Sequence, residues 1–141
     1  MRADLRFLSV NVWGRHGNWA TRRRALATGL SRLDPDVVTF QETIVDEGYD
    51  QVGDLLPGYH VAHQRIGLVG DRTHHGASVA SRWPIESVQE IDQHVTTRTS
   101  DYSCGTVMAE VRAPVPVGPV LVVSHGPSWP WWSERRESCR R

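Results

Sequence analysis

Two apolar runs of strand character, joined by one amphipathic stretch, constrain this chain more than any other feature. The second run, Val37-Val38-Thr39-Phe40-Gln41-Glu42-Thr43, follows Asp34-Pro35-Asp36 and is rich in β-branched and aromatic side chains. That is the pattern of a short strand buried on both faces. Alternation places Val38, Phe40 and Glu42 on one face and Val37, Thr39 and Gln41 on the other. Glu42 therefore continues an apolar face with a carboxylate. Burying an ionised group without compensation costs on the order of several kcal/mol. Its partner is an arginine, a backbone N–H or a divalent metal at the strand's carboxyl end.

The first run, Leu5 to Val12, sets Arg6, Leu8, Val10 and Val12 against Leu5, Phe7, Ser9 and Asn11. Between the runs the period changes. Leu26, Leu30 and Leu33 fall at i, i+4 and i+7, which predicts a helix from about Asn18 to Leu33 with Arg22-Arg23-Arg24 on its solvent side. Asn18 or Thr21 can cap it, and Asp34-Pro35 ends it, because a residue before proline is pushed out of the helical region. A β-α-β crossover is right-handed in nearly all cases, so the two strands are parallel and their carboxyl ends lie on one side. If they are neighbours, Asn11 and Glu42 converge where α/β folds place ligands.

Further along, Asp46 to Leu56 reads as a short helix closed by Pro57-Gly58, and Tyr59 to Gln64 as a strand. Gly67 to Gly76 reads as a flexible, glycine-rich loop containing His74-His75. Strands follow at Gly76 to Ser81, Glu86 to Asp92, Gly105 to Arg112 and Val120 to Ser124, with His125 at the end of the last. A length of 141 residues suits one domain. The formal net charge is +0, from 16 Lys+Arg and 16 Asp+Glu, so no whole-chain field draws in nucleic acid or membrane, although a local basic cleft is not excluded. Cys104 and Cys139 make neither a metal spacing nor a disulfide framework, and Cys104 reads as a buried thiol. No secretory apolar segment follows Met1, and no stretch approaches the roughly 20 apolar residues of a membrane helix. These readings predict a soluble, cytoplasmic protein.

Asn11, Glu42 and His125 thus all end predicted strands. A carboxylate and an amide oxygen are hard ligands suited to Mg²⁺, which takes one or two carboxylates plus substrate phosphate oxygens. A histidine beside such an ion can serve as general base or acid. Trp129, Trp131 and Trp132 read either as an aromatic platform for bases or sugars or as cover for a core edge. A zinc site using His74, His75 and His125 is the weaker alternative, since no H-E-x-x-H or Cys-His spacing is present.

Leu5 to Gly14 and Asp34 to Thr43 resemble the two opening motifs of the endonuclease/exonuclease/phosphatase family. Ser81-Arg82-Trp83-Pro84-Ile85 is similar to the family's strand ending in Ser-Arg-x-Pro-Ile, and Val120 to His125 to its strand ending in a histidine. The resemblance implies an α/β (α+β) fold, a DNase I-like β-sandwich flanked by helices. It implies Mg²⁺-dependent phosphoester hydrolysis of the nuclease or phosphatase type, with Mn²⁺ as a substitute ion. Glu42 matches the metal-binding glutamate, Asn11 the amide that positions the metal and its water, and His125 the histidine of proton transfer. The substrate is a phosphoester, with nucleic acid, phospholipid and sugar phosphate all open. The family's Asp-x-Asn and Ser-Asp-His motifs lie beyond the histidine strand, and nothing after His125 supplies either. Its glutamate partner for the histidine has only Asp71 as a counterpart here. The expectation is an amino-terminal half: a partial domain over 1–129 and a Trp/Arg-rich tail over 130–141. Two consequences follow. A non-catalytic phosphate- or nucleic-acid-binding remnant is the alternative function, and an uncovered inner sheet face is expected to drive self-association.

Overall fold

The computed structural model describes residues 4–69, 74–97 and 103–126. One sheet has the spatial order β1 (Phe7–Asn11), β2 (Val37–Asp46), β5 (His74–Ser81), β4 (His60–His63), with the two-residue β3 (Tyr49–Asp50) also on β2. β1 runs parallel to β2, and the other pairs are antiparallel. A second, antiparallel sheet comprises β6 (Ile85–Asp92), β7 (Gly105–Arg112) and β8 (Pro119–Gly126). Helices α1 (Trp19–Leu33) and α2 (Gln51–Leu55) complete the described elements. None of these helices is long and apolar enough to cross a membrane.

The central strands β2 and β5 of the first sheet are buried on both faces, β2 through its apolar run and β5 through small residues. The sheet's outer face, with Val38, Phe40 and Ala80, packs against Leu30 of α1 and against Val52, Leu55 and Leu56 around α2. Its inner face, with Val37, Ala62, Ala77 and Val79, meets Val107, Ala109, Val111 and Val122 of the second sheet. The small residues of β5 and β7 permit that close approach. The inner face of the sheet is therefore covered, contrary to the expectation of an open half-sandwich. What stays open is narrower. β8 lies over β2 and β5, so β1 falls beside the overlap and Phe7, on the Val37 side of the sheet, is 52% exposed. Leu121 and Val123 on the outward side of β8 are also exposed.

Local signals account for most element boundaries. Asn18 caps α1, its Oδ1 accepting from Thr21 N. Asp34 ends the helix in the left-handed conformation, at φ 46°. Leu33, expected in the apolar stripe, is exposed because the helix stops there. Arg22 also departs from expectation. Rather than facing solvent, its guanidinium turns back to the carbonyls of Val12, Gly14 and His16. The helix expected from Asp46 shrinks to Gln51–Leu55. β2 runs on to Asp46, Gly48 turns the chain at φ 87°, and Tyr49-Asp50 pairs back on Val45-Asp46. Only then does Asp50 cap α2 by accepting from Val52 N and Gly53 N. His74-His75, read as loop, opens β5 instead.

The Arg82 motif turns out to be a clamp between strands. Arg82 pairs with Asp34 at 2.5 Å and with the buried Asp36 at 3.2 Å, and donates to Pro35 O. It thereby locks the end of β5 to the start of β2. Cys104 is buried, as expected. The three tryptophans of the carboxyl-terminal segment, Asp71, and the whole of 130–141 lie outside the described residues.

Candidate active site

The carboxyl end of β1 meets the middle of β2, where Glu42 sits inside the strand and not at its end as expected: Asn11 Nδ2 donates to Glu42 Oε1 at 3.0 Å. A regular strand could not have done this. In the parallel register Phe7 pairs with Val37 and Asn11 with Gln41, so Asn11 belongs to the inner-face set of Val37, Thr39 and Gln41. Strict alternation puts Glu42 on the opposite, helix-covered face with Val38 and Phe40. The ladder to β5 slips between Phe40 and Thr43, and Glu42 adopts φ 56°. This bulge re-aims the carboxylate toward Asn11. A left-handed non-glycine residue costs about 1–2 kcal/mol, so neighbouring contacts must hold it there.

Those contacts are visible on both sides. Val12 N donates to Gln41 O and Gly14 N to Glu42 O, extending the ladder past the bulge. Asn11 Oδ1 accepts from Trp13 N at 2.8 Å, so the amide is fixed at both ends. Gln51, fully buried, spans the two strand ends: its Oε1 accepts from Ile44 N and its Nε2 donates to Gly14 O, each at 2.9 Å. Gly14 has φ 48°, and a Cβ there would lie 2.3 Å from His75 Nε2. Behind the bulge, Thr43 Oγ1 meets Ser78 Oγ at 2.7 Å, Ser78 Oγ meets His63 Nδ1, and His63 Nε2 meets Asp50 Oδ2. Ser78 is wholly buried, so this relay braces β2 against the start of α2 and offers no accessible nucleophile.

His75 borders the same place. Burial pushes its pKa below the ordinary value, His16 pushes the same way and Glu42 opposes them, so the neutral imidazole is favoured. The His16 and His75 rings stack at 5.1 Å.

His125 stands apart from the pair. It lies on β8, with Nδ1 3.1 Å from Thr106 Oγ1, on the face opposite Ser124. Ser124 Oγ reaches across the sandwich to Phe40 O at 2.8 Å, so the end of β8 sits against the strand carrying Glu42. The partner of His125 among the described residues is thus a threonine hydroxyl rather than a carboxylate.

As metal donors, Glu42 offers a hard carboxylate and Asn11 Oδ1 an amide oxygen with a remaining lone pair, which suits Mg²⁺ better than a soft ion. Among the described residues no group of three His, Cys, Asp or Glu side chains could hold a metal. Of the histidines in the zinc alternative, His75 borders the Asn11–Glu42 pair, whereas His125 lies on β8 with Thr106 as its partner.

A family model for the endonuclease/exonuclease/phosphatase family matches residues 8–141. The chain belongs to that family. No match was found among curated proteins. Several solved structures share the fold. An endonuclease/exonuclease/phosphatase family protein from Leptotrichia buccalis superposes with a TM-score of 0.68 at 13% identity, over 98% of this chain and 61% of that one. TDP2 of D. rerio, complexed with a single-strand DNA product, gives 0.65 at 18% identity over 99% and 53%. The human Nocturnin catalytic domain with bound sulfate gives 0.61 at 16% identity over 94% and 53%. The chain thus spans between half and two-thirds of the length of these relatives, and its two packed sheets are those of the DNase I-like fold.

Two features of this arrangement were missed in the sequence. The bulge at Glu42 had a signal only for a register that pairs Asn11 with Gln41: there period 2 puts Asn11 and Glu42 on opposite faces, so convergence demands one extra residue. Gln51 had none, since a glutamine opening a short helix normally reads as solvated.

Proposed function

We propose that the chain carries the amino-terminal part of a Mg²⁺-dependent phosphoester hydrolase site, with Glu42 and Asn11 holding the ion and His125 taking part in proton transfer. The observation that carries this is the Asn11–Glu42 hydrogen bond, made across two strands by a strained residue. Strain of this kind persists at functional sites because the surroundings over-determine it. Asn11 orients the carboxylate, and Gln51 keeps both strand ends at a fixed separation. Thr106 fixes the His125 ring through Nδ1, leaving Nε2 as the group to hold or move a proton. Bound here, Mg²⁺ would stabilise charge on the phosphate oxygens; Mn²⁺ would serve the same donors.

A Mg²⁺ titration of isotope-labelled protein, followed by amide NMR shifts, tests the reading. Shifts concentrated at Asn11–Gly14 and Gln41–Thr43, and lost in Glu42→Gln, are expected. Turnover of a simple phosphodiester is measured alongside, and His125→Ala should lower it without altering the shifts. No Mg²⁺ response in the wild type overturns the assignment. Binding without turnover favours a second reading, a non-catalytic phosphate- or nucleic-acid-binding module. The same proposal includes self-association through the exposed Phe7, Leu121 and Val123 surfaces, measurable as a concentration-dependent sedimentation coefficient.

A further inference from the structure

Trp13 is out of place for a packing residue. It is 54% exposed, it sits at φ 53°, and its backbone N–H donates to Asn11 Oδ1. An indole gains by burial, and a bulky residue in the left-handed region is a strained outlier. Yet the loop that displays it is tightly held. Arg22 donates to Val12 O at 2.7 Å, Gly14 O at 3.2 Å and His16 O at 2.6 Å, gripping the turn from both sides of Trp13. The same guanidinium lies 5.4 Å from the Trp13 ring centroid and 5.3 Å from that of Trp19. His16 flanks the indole at 5.3 Å and is itself stacked on His75. The next residue, Gly14, donates its N–H to Glu42 O at 2.8 Å. A firmly held, half-exposed aromatic surface therefore stands two residues from Asn11 and next to Gly14, which is bonded to Glu42.

We propose that Trp13, backed by Arg22 and flanked by His16, is a stacking platform for an unpaired nucleobase adjoining the phosphate at Glu42. The substrate class it selects is single-stranded nucleic acid. This deepens the phosphoester reading of the same site and rests on it. The competing ligand for an exposed indole is a quaternary ammonium headgroup, held by cation–π attraction. Arg22 argues against that. A cation already on the ring draws on the same quadrupole, and the Arg22 guanidinium repels a second positive charge. A neutral base has no such penalty and stacks on an indole whatever its sequence. The fixed loop also means that little ordering entropy is lost on binding.

The test compares a fluorescently labelled single-stranded oligodeoxythymidylate with an abasic oligomer of the same length and charge, by anisotropy, in Mg²⁺ and in EDTA. Wild type should prefer the base-bearing strand by about fivefold to a hundredfold, the range expected from stacking one base on an aromatic side chain. Trp13→Ala should bring the ratio of the two affinities close to one, and Trp13→Phe should retain part of it. A merely structural role for Trp13 would weaken both ligands alike and leave the ratio intact, which overturns the proposal. Equal binding of both oligomers by the wild type overturns it too. So does Trp13-dependent binding to phosphatidylcholine vesicles without oligonucleotide preference, which would assign the indole to a lipid headgroup. Failure of the underlying site has a different signature: base preference would persist while Mg²⁺ and Glu42→Gln change nothing.

Discussion

Gln51→Leu is the sharpest probe of how the site is held. The side chain is fully buried and makes one hydrogen bond to each strand end, from Ile44 N and to Gly14 O. Leucine fills a similar volume but leaves both backbone groups without a partner. Each buried orphan costs about 1–3 kcal/mol, so the two together cost roughly 2–6 kcal/mol. Burying an apolar side chain in place of an amide returns on the order of 1–2 kcal/mol. The expected loss is about 2–4 kcal/mol, a large part of the roughly 5–15 kcal/mol that holds a domain. Urea unfolding followed by tryptophan fluorescence reads it directly. With an m-value of about 2 kcal/mol/M, the midpoint should fall by roughly 1–2 M at unchanged slope. Gln51→Glu keeps an oxygen for Ile44 N but buries a carboxylate against Gly14 O, so at neutral pH it should cost at least as much as leucine. The two strand ends would also drift apart, and Mg²⁺-dependent shifts at Asn11 and Glu42 should weaken in Gln51→Leu more than in a core variant of equal stability. A Gln51→Leu protein within about 0.5 kcal/mol of wild type would refute the reasoning, because Gly14 and Ile44 would then have found other partners.

Three further outcomes follow from the same geometry. Gly14→Ala places a Cβ at φ 48° and 2.3 Å from His75 Nε2; it should cost about 2–4 kcal/mol in a thermal or urea melt, and His75→Ala in the same chain should recover the steric share but not the backbone share. At position 42, φ 56° favours glycine, so Glu42→Gly should be more stable than Glu42→Ala by about 1 kcal/mol, with Mg²⁺ response absent from both; equal stability would mean that the bulge relaxes when the carboxylate is removed. For Asp50, burial alone would raise the pKa, but the Gly53 N–H, His63 and the Val52 N–H hold it below the ordinary 3.8. A depressed folded pKa contributes stability above the unfolded value that is lost as pH falls through the folded one; Asp50→Asn keeps a capping oxygen and should flatten the loss of stability below about pH 4, as read from urea midpoints across that range.

The β-α-β opening was legible because three independent local signals agreed there: a buried-strand pattern, a helical stripe with an Asn18 cap, and a break at Asp34-Pro35. The DNase I-like sandwich was legible through motif order, and the Arg82 motif shows why that order carries structure: its guanidinium ties β5 to the Asp34–Asp36 entry of β2. The helix after β2 was misread because Asp46 to Asp50 lacks a strand-length pattern; its hairpin comes from one positive-φ glycine and two paired residues, which periodicity cannot register. Arg22 was misread because charge predicted solvent, while three loop carbonyls within reach outweighed it. The deepest miss concerns Glu42 and is also the most informative. Alternation assigned it to the helix-covered face, where a carboxylate has no partner; the bulge removes it from that face at a backbone cost and delivers it to Asn11. Consistency between local rule and fold thus breaks at one residue, and it breaks in the direction that assembles a site. A solvated strand-end glutamate would have had no reason to leave the regular ladder, so the strain at Glu42 argues for function more strongly than its charge does.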